Sequence, residues 1–284
     1  MKRALLFNDI SGIGGCSLYA DLSVLSAMGV RSVPVLTAAL TRQTDYDTYT
    51  EVREPVPFEA YRKDYQATDE RFDGILTGYI GAPDKIRKIL PFVKEFHGAG
   101  TCLLVDPVMG DHGTGYDLMS DDYLAAVRSL MAEADLSTPN LTEFCLLTDT
   151  PYSVFENASL EEIEQTVLDL WRKMPRREGS RMVVTGAISH GQVANLVLEN
   201  DTAAAFSSPH MDQDFSGTGD LFASVILGSI LLGDTLENGV SLATEFLYKA
   251  VRMSISMGLT SREGTAFEGC LSILTKESGK VSTK

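Results

Sequence analysis

The sequence has no apolar segment long enough to span a membrane, no cysteines at disulfide-framework or metal spacing, no surplus of positive charge and no Gly-x-x-x-x-Gly-Lys-Ser/Thr phosphate loop. Each absence removes a class of function. The apolar run 221–232 is too short for a membrane span and is broken by Ser224, Gly228 and Ser229. Cys16, Cys102, Cys145 and Cys270 stand far apart with no Cys-x-x-Cys pair, which argues against disulfides or zinc and for a reduced, cytoplasmic setting. His97, His112, His190 and His210 are equally scattered. With 39 acidic against 24 basic residues the formal charge is −15, so nucleic acid and anionic membrane surfaces would be repelled at long range. Any phosphate recognition must therefore be local. After the basic start Met1-Lys2-Arg3 the apolar run covers only residues 4–7, too short for a secretory signal.

What is present is 284 residues, 44% of them hydrophobic, enough for a large core. No internal repeat or Pro/Ser linker divides the chain, so one domain is expected over residues 1–276, with 277–284 a flexible tail. Short apolar strands are expected at 3–7, 31–38, 74–80, 101–105, 136–138 and 181–184, and a hairpin at 192–198 and 202–206. Pro34 suggests an edge or early position in the second strand. Helical spacing marks 16–28, 57–70, 82–96, 120–133, 141–147, 159–173, 218–232, 235–257 and 267–275, with Pro91 kinking or dividing the third of these. Residues 39–56 read as a long polar loop able to cover a site. The alternation is that of an α/β fold with a doubly wound, mostly parallel central sheet and helices on both faces. In such sheets ligands bind at the carboxyl ends of the strands, where the polar clusters of this chain fall.

The densest cluster is Gly217-Thr218-Gly219-Asp220 ahead of the apolar run. A glycine turn opening a helix offers free N–H groups and the positive end of the helix dipole to an anion such as phosphate. Asp220 is then placed to take a proton from an attacking hydroxyl, or it is an acid favoured by the dipole alone. Asp106 and Asp111, in a Pro/Gly loop after a strand, suit a divalent cation on a nucleotide or ordinary turn chemistry. Thr138, Asn140 and Glu143 follow the next strand and equally fit a helix capping box. Thr185-Gly186 offers a hydroxyl and a close-approach backbone. The first turn, Gly12-x-Gly14, fails as a dinucleotide fingerprint because Ser17 replaces the third glycine and no acid ends the second strand. Ser11, Thr44 and Tyr79 read as groups that orient a small substrate.

In order along the chain, Ser11, Thr44-Asp45-Tyr46, Thr77-Gly78-Tyr79, Asp106-Pro107-Val108-Met109-Gly110-Asp111, Thr138-Pro139-Asn140 with Glu143, Thr185 and Gly217-Thr218-Gly219-Asp220 resemble the pyridoxal/pyridoxamine kinase family of the ribokinase-like superfamily. The resemblance implies ATP-dependent phosphorylation of the 5'-hydroxyl of pyridoxal, pyridoxamine or pyridoxine. It implies Asp220 as base and Gly217, Thr218 and Gly219 as the anion hole. Asp106, Thr138, Asn140, Glu143 and Thr185, with the glycine turn, would bind ATP, and Ser11, Thr44, Asp45, Tyr79 and Asp220 the vitamin. Asp106, Asp111 and Glu143 would handle magnesium; a monovalent cation and a homodimer are further implications of the family.

Two departures touch vitamin recognition: Arg42-Gln43 stands where the family has Asn-His, and Gly12 to Gly15 depart from its first turn. The first turn, leading to Ala20-Asp21-Leu22, also resembles hydroxymethylpyrimidine kinases of thiamine biosynthesis, the alternative activity. A non-catalytic vitamin or nucleotide sensor on the same fold is the alternative from a different class. A nicotinamide-dependent oxidoreductase rests only on the defective first turn.

Overall fold

Along β1 (Arg3–Ser11) side chains alternate between two helical layers, and this strand is the centre of the fold. Ala4 and Leu6 belong to the apolar cluster built with α1 (Leu18–Ala27), α7 (Thr218–Leu231) and α8 (Leu236–Ser256). Leu5 and Phe7 belong to the apolar cluster on the other face, built with α2 (Phe58–Ala67), α3 (Pro83–Phe96) and α4 (Asp121–Met131). All four are fully buried, and a buried Leu or Phe contributes about 1.5–3 kcal/mol. The computed structural model describes residues 1–275; the expected tail at 277–284 lies outside the described residues.

The remaining strands are β2 (Arg31–Leu40), β3 (Glu51–Arg53), β4 (Gly74–Thr77), β5 (Cys102–Val105), β6 (Gly110–Asp111), β7 (Thr114–Gly115), β8 (Leu136–Ser137), β9 (Arg181–Ser189), β10 (Gln192–Glu199) and β11 (Thr202–Pro209). Nine form one sheet in the order β11-β10-β9-β8-β5-β4-β1-β2-β3, and β6 and β7 form a separate small ribbon. The central pairings from β2 through β9 are parallel, and β3, β10 and β11 join antiparallel. A third apolar cluster lies under α5 (Leu141–Thr148) and α6 (Leu160–Trp171). The chain reverses direction across the sheet at β1, first to β2 and then to β4, so the crevice outside their carboxyl ends is where a ligand is expected.

Local expectations change at several places. β1 runs on to Ser11, past its expected end at 7, and β4 ends at Thr77 instead of 80. α3 runs undivided through Pro91, because the proline lies on the exposed side while Ile89, Phe92, Val93 and Phe96 anchor the helix to the core. The strand expected over 181–184 does not stop there: β9 continues to Ser189, and Gly186 (φ +71) sits in a bulge where the register with β10 shifts. Residues 268–274 form a 3-10 rather than an α-helix. The β6–β7 ribbon after Asp106 is additional to the strands read from sequence. Pro34 is placed as expected, on a stretch of β2 that β3 does not reach, since those two strands pair only over Ala38–Leu40. Among the described residues no helix is long and apolar enough to cross a membrane.

Candidate active site

α7 begins where Gly217, at φ +89, turns the chain in a left-handed conformation that an L side chain rarely adopts. There is no room for one either: a Cβ would lie 2.9 Å from the Gly15 carbonyl oxygen and 3.0 Å from Cys16. The first glycine turn and the last are thus in direct contact. Asp220 sits in the first turn of α7, with Oδ2 accepting the Ser17 amide at 2.7 Å and Oδ1 accepting Asn8 Nδ2 at 3.0 Å. Ser17 itself is strained, with φ 55 and ψ −136 at the start of α1, a backbone cost of about 1–3 kcal/mol for a non-glycine residue. That geometry aims its N–H at Asp220.

Other strand ends converge on the same place. Asp106, after β5, is buried; Thr138, after β8, donates its hydroxyl to Asp106 Oδ1 at 2.9 Å. Asp106 Oδ2 lies 3.7 Å from where a Cβ on Gly219 would be, so this oxygen borders the glycine turn. At the end of β1, Ser11 donates to Asp9 Oδ2 at 3.2 Å. Tyr79, after β4, gives its amide to Asn8 Oδ1 at 2.9 Å, which links the turn after β4 to Asp220 through one side chain.

Burial and crowding of like charges raise the proton affinity of the whole cluster. Asp106 is pushed up to about 7 by burial and then by the charge of Asp220, with the Thr138 hydrogen bond opposing. Asp9 rises to about 6, chiefly through burial. Asp220 is raised by burial against the lowering effect of its bonds from Ser17 and Asn8. Asp21 and Glu143 are raised as well, each first by burial and next by a neighbouring carboxylate, Asp220 and Asp106 respectively.

The remaining expected residues are less closely joined. Glu143 and Asn140 form the capping box of α5: Asn140 Oδ1 accepts the Glu143 amide, and Glu143 Oε2 accepts the Asn140 amide. Glu143 Oε1 takes the Met109 amide at 2.9 Å, so both its oxygens already hold backbone, one in the loop after Asp106 and one at the start of α5. Asp111 is exposed beside His112, with its charge acting on the buried Glu143, and among the described residues no group of three His, Cys, Asp or Glu forms a preassembled metal cage. Thr185 joins this side through its amide to the Pro139 carbonyl. Thr44 is exposed. Asp45 accepts the Ser216 hydroxyl at 2.7 Å, which ties the covering loop to the residue before Gly217. An open hollow of about 760 Å3 bounded by His97, Asp135, Arg177 and Arg181 lies at the opposite, amino ends of the strands.

Sequence reasoning gave no place in the site to Asn8 or Cys16, cited Asp21 only within the likeness to hydroxymethylpyrimidine kinases, and missed the structural part played by Gln43. Asp21 had a visible signal, an acid at helical spacing between the apolar Leu18 and Leu25. Cys16 lies against Gly217 from another segment, with burial and then Asp220 keeping its thiol neutral. No local pattern could place it there.

The family model described as phosphomethylpyrimidine kinase matches residues 9–265. The chain is 29% identical to a pyridoxine/pyridoxal/pyridoxamine kinase of Bordetella avium, over 88% of this chain and 86% of that protein. A crystal structure of a putative phosphomethylpyrimidine kinase from Bacteroides thetaiotaomicron, in a form with pyridoxal, superposes with a TM-score of 0.87 at 29% identity, covering 99% of this chain and 98% of that one. Pyridoxal kinase from Lactobacillus plantarum superposes with a TM-score of 0.85 at 28% identity, covering 96% of each. The fold is accordingly the ribokinase-like one of these kinases.

Proposed function

The chain belongs to the phosphomethylpyrimidine kinase family, and we propose that it transfers the γ-phosphoryl group of ATP to the 5'-hydroxyl of pyridoxal, pyridoxamine or pyridoxine. The observation that carries this reading is Asp220, an acid in the first turn of α7, held by Ser17 and Asn8 behind a glycine turn and connected through Asn8 to Tyr79.

In this reading Asp220 takes the proton of the attacking hydroxyl; its raised proton affinity suits a base working near neutral pH. The amides of Gly217, Thr218 and Gly219 at the open end of α7 hold the oxygens of the phosphoryl group in transit. Ser11, Thr44, Asp45 and Tyr79 orient the acceptor, while Thr138, Asn140 and Thr185 meet the nucleotide phosphates. The fit to Mg2+ rests on Asp106: one oxygen is fixed by Thr138, the other borders Gly219, and its burial beside a second acid is what a divalent cation relieves. Asp106 would hold the ion together with phosphate oxygens, Asp111 would stand at the rim, and Glu143 would act from behind by fixing the Met109 loop. When bound, Mg2+ neutralises the phosphate charge. The reading includes one folding unit over residues 1–276 and a homodimer.

A hydroxymethylpyrimidine kinase is the second reading, favoured by the description of the matching family and by the likeness to the Bacteroides thetaiotaomicron structure. The test is ADP release with ATP and Mg2+ against pyridoxal, pyridoxamine, pyridoxine and hydroxymethylpyrimidine. Highest kcat/KM with a B6 vitamer supports the first reading, and turnover of the pyrimidine alone replaces it with the second. Binding of all four without ADP release would mean a sensor.

A further inference from the structure

Asp21 is completely buried on the apolar face of α1, and neither the kinase reading nor the expected site residues use it. A carboxyl group in such a place needs compensation. Among the described residues none of its bonds comes from a cation. The Ser224 hydroxyl, one turn beyond Asp220 on α7, donates to Oδ1 at 2.7 Å, and Asn8 Nδ2 donates to Oδ2 at 3.0 Å.

Asn8 is the hub. Its Nδ2 serves Asp21 and Asp220, each at 3.0 Å, while its Oδ1 accepts the amides of Asp9 at 3.0 Å and Tyr79 at 2.9 Å. Two donors and two acceptors exhaust a side-chain amide, and the two backbone N–H partners can be met only by its oxygen. The amide is therefore held with its nitrogen toward both carboxyl groups. Gly78 makes the space, because a Cβ there would lie 2.5 Å from Asn8 Nδ2.

We infer that Asn8 and Asp21 are positioning residues for Asp220: Asp21 keeps the Asn8 amide turned toward the glycine turn, and Asn8 with the Ser17 amide fixes the plane of the Asp220 carboxyl group. The inference rests on the kinase reading, in which Asp220 meets the acceptor hydroxyl. Asp21 is fully buried and makes no hydrogen bond to Asp220; its hydrogen-bonded link to that residue is Asn8, beside the direct like-charge influence between the two acids. Proton transfer depends on alignment, so loss of this support reaches turnover before it reaches binding.

The experiment is steady-state kinetics on full-length Asp21→Ala, Asp21→Asn, Ser224→Ala and Asp220→Asn, with the best acceptor of the wild type. Asp21→Ala is expected to lower kcat about tenfold or more with both KM values within about threefold. Asp21→Asn still accepts from Asn8 and donates to Ser224, and is expected to recover most of that loss. Wild-type kcat in folded Asp21→Ala, or no recovery in Asp21→Asn, overturns the inference. Should Asp21→Ala not fold, Ser224→Ala decides: a fall in kcat at constant KM supports positioning and an unchanged kcat overturns it. A wild type inactive toward every acceptor, or an Asp220→Asn enzyme with full turnover, overturns the kinase reading and the inference together. If that reading stands, loss of the Asp21 effect overturns the inference alone.

Discussion

The side chain of Gln43 lies against the α-carbon of Gly14, so close that a Cβ on Gly14 would overlap it. The Gln43 amide donates to the Ile13 carbonyl at 2.9 Å, and its Nε2 lies 3.0–3.3 Å from the Arg262 carbonyl, Ser216 Oγ and Asp45 Oδ2. Arg42 and Arg262 both lie over the Tyr46 ring, at 5.6 and 5.2 Å from its centre. The stretches Gly12 to Gly15 and Arg42-Gln43 are therefore in contact with each other. Together they clasp the covering loop to the glycine turn.

Gln43→Ala is expected to release that clasp, costing about 1–2 kcal/mol of stability and raising the KM for the acceptor several-fold more than that for ATP. Gly14→Ala should be strongly destabilising in the wild type and less so with Gln43→Ala, because part of its cost is the overlap. A double-mutant cycle by chemical denaturation checks this. Strictly additive effects would show that Gln43 does not limit the space at Gly14.

Gly217→Ala combines a disallowed φ of +89 with a Cβ 2.9 Å from the Gly15 carbonyl oxygen. The expected cost is about 1–3 kcal/mol in stability together with a fall in kcat of about a hundredfold, since the turn must shift to admit the methyl group. Thermal unfolding and ADP release on the same preparation measure both. A variant with normal melting and normal turnover would remove the turn from the proposed chemistry.

Asp106 and Asp9 bind their protons more tightly in the folded chain, at about 7 and about 6, than the ordinary aspartate value of 3.8. Between roughly pH 4 and pH 7 the folded state therefore holds protons that the unfolded state has released, and this contribution to stability is lost as pH rises. The ligand-free wild type should lose melting temperature relative to Asp106→Asn between pH 5 and pH 8. Parallel curves for the two proteins would show that Asp106 has an ordinary proton affinity. Adding ATP and Mg2+ at pH 8 should stabilise the wild type more than the variant.

The layered fold was legible in the residues because burial imposes a period of about two on strands and 3.6 on helices, and both show along most of the chain. The places it was misread are local exceptions outweighed by packing. Pro91 is tolerated because its helix is anchored by Phe92 and Phe96, and Gly186 relieves a strand instead of ending it. Gly217, Asp220, Asp106 and Thr138 were legible as candidates because each lies in a short motif whose chemistry is written in neighbouring residues. The capping box of Asn140 and Glu143 is equally local, and the structure forms it in full.

The amino-acid sequence by itself determined the layered α/β fold, the strand ends at which polar groups gather and the glycine turn carrying Asp220. Tertiary structure alone decided what holds Asp220. Asn8 lies 212 residues from it and Ser17 lies 203, while Asp21 is hydrogen-bonded to it through Asn8. Such bonds follow from sheet order and helix packing, which bring α1 and α7 onto the same face of β1, and no spacing along the chain encodes them.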